Sequence, residues 1–174
     1  MCSGKGYLKE AYYAIFQNDF LRAIEAFKKA IRCDPTNAVY YYKLSITYSR
    51  NGAIKEAIKT AKKACEFQPH NQTYRYHLQI LQAKNLVYMA SEKIKNDLFT
   101  NEVEELLIQA KKLDPLNIEA YLLLGIYYGE NHLLNQALNE FNQVFILEPY
   151  QTQAKNLKEY YLKLYQEEDQ HDKN

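Results

Sequence analysis

The side chains that most often catalyse reactions or bind metals are scattered along this sequence. The four histidines, His70, His77, His132 and His171, do not form a His-Glu-x-x-His motif, and the three cysteines lack a Cys-x-x-Cys pairing. The sequence also lacks a glycine-rich phosphate loop and a Gly-x-Ser-x-Gly nucleophile motif. We therefore predict that the protein is not an enzyme and has no catalytic residues, cofactor or metal ligands.

The composition instead favours binding through aromatic side chains. The chain has 174 residues with 17 tyrosines, 7 phenylalanines and no tryptophan, and its formal net charge is +1, from 22 basic and 21 acidic residues. Tyrosine offers a large contact area with a polar tip, which suits interfaces. A net charge near zero does not supply the positive field on which non-specific nucleic-acid binding depends. We expect protein partners and no nucleic acid.

The sequence also bears on the compartment. The first ten residues contain no apolar core of the length that a signal peptide needs, and no later stretch approaches the roughly 20 apolar residues that span a bilayer. We therefore expect a cytoplasmic protein that does not bind membranes.

The four prolines show how the chain is organised. Pro35, Pro69, Pro115 and Pro149 are separated by 34, 46 and 34 residues. A recurring period of 34 is typical of a helix-turn-helix repeat. Each proline is expected to end a second helix, because proline lacks an amide donor and disfavours helix in the preceding residue.

Capping residues follow the prolines. Asn37, Asn71 and Asn117 each stand two residues after a proline, where a side-chain oxygen can cap the next helix. At the fourth boundary Thr152 is the nearest candidate for the cap. Asn101 and Glu104 form a capping-box pattern, which predicts that a helix begins near residue 101.

The residues between the prolines resemble the tetratricopeptide-repeat family. The second repeat carries the family pattern of aromatic, small and large residues, with Tyr41, Leu44, Ser45 and Tyr48, then Gly52, then Ala57, Ala61, Ala64 and Pro69. The fourth repeat matches as closely, with Tyr121, Leu124, Gly125, Tyr128, Ala137, Phe141, Val144 and Pro149. The resemblance implies an all-α fold, a right-handed α-solenoid of helix-turn-helix repeats that ends in a C-terminal capping helix.

We interpret residues 1–174 as a single domain of four repeats. The repeats are predicted at about 4–37, 38–71, 72–117 and 118–151, followed by a capping helix at 152–166 and a flexible acidic tail at 167–174. Capping helices are needed because an end repeat has no neighbour to cover it.

The third repeat contains a 12-residue insertion. Ile80, Ala83, Val87, Ala90 and Ile94 continue an apolar helical stripe through it, which favours an extended first helix. The alternative is a shorter helix followed by a mobile loop around residues 95–97, whose composition permits a turn.

The resemblance also implies where a ligand binds, because the first helices of this family line a concave groove. The matching outward positions here are Lys9, Tyr12, Tyr42, Lys43, Ile46, Arg50, Tyr76, His77, Ile80, Lys84, Leu122 and Ile126. Aromatic rings flanked by cations suit an acidic or amphipathic peptide. We therefore expect a peptide-binding adaptor or scaffold, although some of these residues are also expected to pack against the adjacent repeat.

A second function is compatible with the same sequence. The apolar stripe of the third repeat would suit burial against a second copy of the chain, which would make the protein a self-associating structural scaffold and a homo-oligomer.

Overall fold

The described part of the chain, residues 4–171 of a computed structural model, is entirely helical. It contains nine α-helices and no strand. They are α1 Gly4–Phe16, α2 Phe20–Cys33, α3 Ala38–Arg50, α4 Ile54–Phe67, α5 Gln72–Lys95, α6 Asn101–Leu113, α7 Ile118–Glu130, α8 Leu134–Leu147 and α9 Thr152–His171. The all-α class implied by the family resemblance is confirmed.

The turn inside each helix pair has one backbone geometry. Asn18, Gly52, Asp97 and His132 have φ values of 58°, 79°, 55° and 57°, a left-handed conformation that Gly, Asn, Asp and His adopt more readily than other residues. In every one of these turns an amide donates to the carbonyl five residues earlier, as Ala53 does to Tyr48 at 2.9 Å. The third turn therefore has the geometry of the others despite the insertion.

The helices that follow the four prolines begin at side-chain caps, which the sequence predicts correctly at three of the four boundaries. Asn37 accepts from the Val39 amide, Asn71 from Tyr74 and Asn117 from Ala120. At the fourth boundary Gln151, and not Thr152, accepts from the Ala154 amide at 3.0 Å, since Thr152 is already the first residue of the helix.

The predicted capping box at Asn101 is also wrong. Thr100 occupies the N-cap position of α6 and makes no side-chain cap hydrogen bond, while Asn101 is the first helical residue.

The chain divides into two compact units, residues 1–82 and 83–174. In the N-terminal unit, Phe27 of α2 is fully buried among Ala11 of α1 and Leu44 of α3, while Ala57 and Ala61 of α4 pack against Leu81 of α5. Alanine at these positions lets helices approach closely, and the large side chains fill the space that remains.

The C-terminal unit places its glycines against aromatic rings. A Cβ atom on Gly125 would overlap the ring of Phe141, and one on Gly129 would overlap the ring of Tyr161 in α9. Ala154 and Tyr161 are buried, so α9 covers the last helix pair of the unit.

The extra residues of the third repeat lie almost entirely in α5, a continuous helix of 24 residues. Its stripe is not a free surface, because Ala83, Val87 and Ala90 are at most 2% exposed in the core of the C-terminal unit and Ile94 packs against that core. Residues 83–94 of the stripe are therefore not available for self-association, since they are already covered by their own unit.

The last helix differs from its predicted bounds. α9 runs to His171, past residue 166, so residues 167–171 of the predicted flexible tail are helical. The remaining residues of that tail, 172–174, lie outside the described residues.

Candidate functional site

The first helices of the N-terminal unit lie side by side. A Cβ atom on Gly4 of α1 would come within 2.9 Å of the Tyr40 hydroxyl of α3, and the rings of Tyr42 in α3 and Tyr74 in α5 are 4.7 Å apart. Each first helix therefore contacts the next, and the side chains that point away from the core share one surface.

Nine of the predicted ligand residues belong to this unit, and we name them the N-terminal face. They are Lys9, Tyr12, Tyr42, Lys43, Ile46, Arg50, Tyr76, His77 and Ile80, and none of them is buried. Tyr12 and Tyr76 are 45% and 50% exposed, which is high for aromatic side chains. Such exposure leaves ring area available to a ligand.

Tyr42 is the centre of the contacts on this face. Its ring is 4.7 Å from Tyr74 at an interplanar angle of 30°, and 5.2 Å from His77 at 84°. The ammonium group of Lys43 lies 5.6 Å from the Tyr42 ring centroid, a cation–π distance. The ring is therefore held on three sides while remaining partly exposed, so little entropy is left to lose when a ligand covers it.

His77 is fixed by a hydrogen bond. Its Nε2 lies 2.8 Å from Ser45 Oγ, and Ser45 is fully buried. The buried serine cannot reach a substrate, so the pair positions the imidazole and is not a nucleophile–base pair. Burial, and to a lesser extent the neighbouring Tyr42, raises the pKa of Tyr74, so this phenol stays neutral at physiological pH.

Among the described residues 4–82, the ion pairs do not involve Lys9, Lys43 or Arg50 of this face. In residues 4–82, ion pairs use Glu10, Glu25 and Glu66, whose partners are Arg22, Lys28 and Lys63. Asp19 caps α2, and Asp34 accepts from the Asn37 side chain. Within the same residues no ion pair engages Lys9, Lys43 or Arg50, so these charges are available to an acidic partner.

The charge of this unit is larger than the whole chain suggests. Residues 1–82 contain 13 Lys and Arg against 6 Asp and Glu, a formal net charge of +7. The near-neutral net charge of the whole chain is therefore the sum of two units with opposite net charges.

The other three predicted ligand residues belong to the C-terminal unit. Lys84 is exposed and Ile126 is partly buried, but Leu122 is only 5% exposed within the core. Leu122 therefore offers little surface to a ligand, because it already packs inside its own unit.

A separate pocket of about 160 Å³ lies in the C-terminal unit. It is lined by Gly129, Glu130, His132, Leu134, Tyr160, Tyr161, Leu164 and Tyr165. The Tyr161 hydroxyl donates to Glu130 Oε1 at 2.8 Å, and burial together with this carboxylate raises the Tyr161 pKa well above its usual value. The Tyr161 phenol is therefore a structural donor rather than an acid catalyst near neutral pH.

Sequence reasoning missed two residues that organise the N-terminal face. Tyr74 of α5 supplies the ring that contacts Tyr42. Ser45 was interpreted only as a small packing residue, although a hydroxyl 32 residues before a histidine is nearly one repeat away and thus able to meet it.

Two further features of the described residues bear on function. Among residues 4–167, whose side chains are described, no group of three or more His, Cys, Asp or Glu side chains is placed to hold a metal ion. In the same part of the chain, no helix has both the length and the apolar character that crossing a membrane requires.

Comparison with known families agrees with the repeat geometry. Residues 4–37 and residues 26–59 each match a sequence profile described as a tetratricopeptide repeat. Residues 4–59 of the chain carry tetratricopeptide repeats. The first matched segment coincides with α1 and α2 and their flanking turns, so in the first repeat the tetratricopeptide pattern and the observed helices agree.

Solved structures show the same tetratricopeptide fold. MamA is 22% identical, with a TM-score of 0.52 over 94% of this chain and 88% of that chain. MamA 41-end from Desulfovibrio magneticus RS-1 is 15% identical, with a TM-score of 0.55 over 94% and 92% of the two chains. The APC/C hetero-tetramer Cut9–Hcn1 is 13% identical, with a TM-score of 0.53 over 92% of this chain and 36% of that chain. Among curated proteins, none matches the chain.

Proposed function

We propose that this tetratricopeptide-repeat protein is a non-enzymatic protein–protein interaction module whose N-terminal face binds a peptide or amphipathic segment of a partner protein. In this role it acts as an adaptor or scaffold in the cytoplasm. The observation that carries the proposal is the Tyr42 cluster, in which a partly exposed ring is held by Tyr74 and His77 beside uncompensated cations.

The repeat family supports the general class of function, because tetratricopeptide repeats are generally non-enzymatic interaction modules. The chemistry of the face supports the finer assignment. Aromatic anchors that are already ordered cost little entropy when they are covered, and they commonly account for most of the binding energy at a protein interface.

The charge of the face favours an acidic or amphipathic ligand. Lys9, Lys43 and His77 occupy equivalent positions of three successive first helices, 34 residues apart, so they form a basic row. Tyr42, Ile46 and Ile80 supply apolar surface along the same helices. A segment with acidic side chains beside an apolar stripe would satisfy both kinds of surface, as helices do when they bind in grooves.

Lys84 and Ile126 are proposed as further ligand contacts in the C-terminal unit. Leu122 remains in that set only through the small part of its side chain that is exposed.

The proposal is tested by affinity capture with the full chain from nuclease-treated cell extract. Proteins bound by the wild type should be lost from the double variant Tyr42→Ala/Lys43→Glu and kept by Lys59→Glu, since Lys59 is an exposed residue of the second helix α4. If the two variants lost the same proteins, the N-terminal face would not be the binding site.

A further inference from the structure

The two units of the chain carry opposite formal charges. Residues 1–82 have a net charge of +7, and residues 83–174, with 9 basic and 15 acidic residues, have a net charge of −6. Because the units carry opposite charges, the positive unit of one copy attracts the negative unit of another copy.

Internal ion pairs leave the net charge of each unit unchanged, but they occupy part of the minority charge of each unit. In the N-terminal unit the scarce carboxylates Glu10, Glu25 and Glu66 are already paired. In the C-terminal unit the scarce cations Lys93, Lys95, Lys111 and Lys155 already pair with carboxylates of that unit. The charges that remain for other molecules are therefore mainly positive on one unit and mainly negative on the other.

The final part of α9 combines acidic charge with exposed apolar side chains. Tyr161 is the last residue in α9 whose described side chain is buried, and the helix continues for ten more residues, about 15 Å at 1.5 Å per residue. Tyr160, Leu164 and Tyr165 are 53%, 38% and 52% exposed. The sequence then continues with Glu167, Glu168 and Asp169.

Helical periodicity places three of these side chains on the same side of α9. Tyr160, Leu164 and Glu167 are spaced by four and three residues, so they lie on one stripe of α9. The stripe begins aromatic, continues aliphatic and ends acidic, which is the amphipathic pattern that the N-terminal face is suited to bind.

We propose that residues 160–171 of one copy bind to the N-terminal face of a second copy. This inference rests on the proposed function, because it names an occupant for the same surface. Tyr160 and Leu164 cover the ring of Tyr42 and its apolar neighbours, while Glu167 meets the basic row. The contact joins unlike surfaces, so it is head-to-tail, and repetition of it produces chains or closed rings of copies.

The dimensions of the two surfaces agree. First helices packed at about 8 to 10 Å from each other carry Lys9, Lys43 and His77 over about 20 Å. Residues 160–171 extend over about 16 Å when helical. One α9 end can therefore contact all three first helices of the N-terminal unit.

The test is sedimentation velocity of the full chain, whose monomer has a mass of 20.5 kDa. At about 50 mM NaCl the wild type should show a mass that increases with protein concentration, and at about 500 mM NaCl it should return to the monomer, because salt screens the attraction. The face variant Lys9→Glu/Lys43→Glu/Arg50→Glu and the helix variant Glu167→Lys/Glu168→Lys/Asp169→Lys should each raise the dissociation constant at least about tenfold.

Mixing the two variants gives the decisive arm of this experiment. The acidic face of the first then meets the basic helix end of the second, so an equimolar mixture should associate although neither variant does alone. The matched control, Lys55→Glu/Lys59→Glu/Lys62→Glu, reverses three exposed lysines of α4 and lowers the net charge of the same unit by the same amount. It should weaken association clearly less than the face variant, because the N-terminal face itself is unchanged.

Several results would overturn the inference. The first is a wild type that stays at 20.5 kDa at every concentration, as it also would if the helix end bound within its own chain. The second is a control variant that associates as weakly as the face variant. The third is a mixture of the two variants that fails to associate. If any of these occurred while Tyr42→Ala/Lys43→Glu still lost proteins from cell extract, the self-recognition would be refuted and the proposed function would stand. If the face variants lost neither the captured proteins nor self-association, both the self-recognition and the proposed function would be refuted.

Discussion

Ser45 Oγ lies 2.8 Å from His77 Nε2, and this hydrogen bond ties α3 to the beginning of α5. The same imidazole contacts the ring of Tyr42 at 5.2 Å. A fully buried hydroxyl in one repeat therefore sets the position of two partly exposed ring systems on the N-terminal face.

Removing that hydroxyl should weaken the unit that carries the face. We expect Ser45→Ala to lower the free energy of unfolding by about 1 to 2 kcal/mol, since it removes a buried hydrogen bond and leaves the imidazole with one partner fewer. Urea unfolding followed by circular dichroism measures the change. Ser49→Ala, one turn later on α3, is the matched control and should change stability by less than about 0.5 kcal/mol. Equal effects at the two serines would contradict the account.

Glycine is required where an aromatic ring lies against a helix backbone. Gly125→Ala should destabilise by about 1 to 3 kcal/mol, because the added Cβ overlaps the fully buried ring of Phe141. Gly6→Ala is the control, because a Cβ there meets nothing within 4 Å, so alanine should be neutral or stabilising in α1. Thermal unfolding of both variants checks the prediction, and a Gly125→Ala protein as stable as Gly6→Ala would refute the close packing.

The fold was predictable because the repeat is punctuated by residues with strong backbone preferences. Pro35, Pro69 and Pro149 mark helix ends directly, since proline cannot continue a helix, and asparagine caps follow at three of the four boundaries. The extended helix was predictable as one alternative, because its apolar stripe keeps the helical period. The burial of that stripe inside the C-terminal unit was not predictable, because periodicity identifies an apolar face without showing what covers it.

The clustering of the candidate residues was predictable, but the contacts that hold them were not. The repeat period places Tyr42, Lys43 and His77 on one face, but it does not reveal that Tyr74 and Ser45 hold them, since those contacts cross between repeats. The charge separation between units was hidden for another reason. A net charge of +1 summed over the whole chain conceals halves of opposite sign.

Substitution by serine should destabilise the protein by very different amounts at two neighbouring positions of α5. Val87→Ser should lower the free energy of unfolding by about 2 to 4 kcal/mol, because Val87 is 2% exposed and the change leaves both a void and a buried hydroxyl. Tyr88→Ser, at a position that is 58% exposed, should cost less than about 1 kcal/mol. Chemical denaturation distinguishes them. If Val87→Ser were the milder change, the stripe would be a free surface after all.

Alkaline pH should reveal the buried phenol of Tyr161. Burial and the Glu130 carboxylate raise its pKa in the folded protein, whereas in the unfolded chain a tyrosine ionises near its usual value of about 10. Its contribution to stability is therefore complete below pH of about 10 and is lost as the pH rises further, because the unfolded state releases the proton first.

Tyr161→Phe should consequently lose less stability than the wild type between pH of about 10 and 12. The control Tyr160→Phe changes a neighbouring tyrosine that is 53% exposed, and its pH profile should follow the wild type. Parallel profiles for the wild type and Tyr161→Phe, obtained by denaturant unfolding at each pH, would contradict the buried hydrogen bond to Glu130.

The most direct measurement of the central claim is the affinity of the N-terminal face for defined peptides. Labelled 15-residue peptides of graded charge and apolar content, selected because the wild type binds them, are titrated by fluorescence anisotropy with full-chain variants. Tyr42→Ala/Lys43→Glu should weaken binding at least about tenfold, since an aromatic anchor at an interface centre is commonly worth about 2 kcal/mol or more. Lys59→Glu, which reverses one exposed charge on α4, should stay within about twofold of the wild type. Equal weakening by the two variants, or none by the double change, would show that peptides bind elsewhere on the chain.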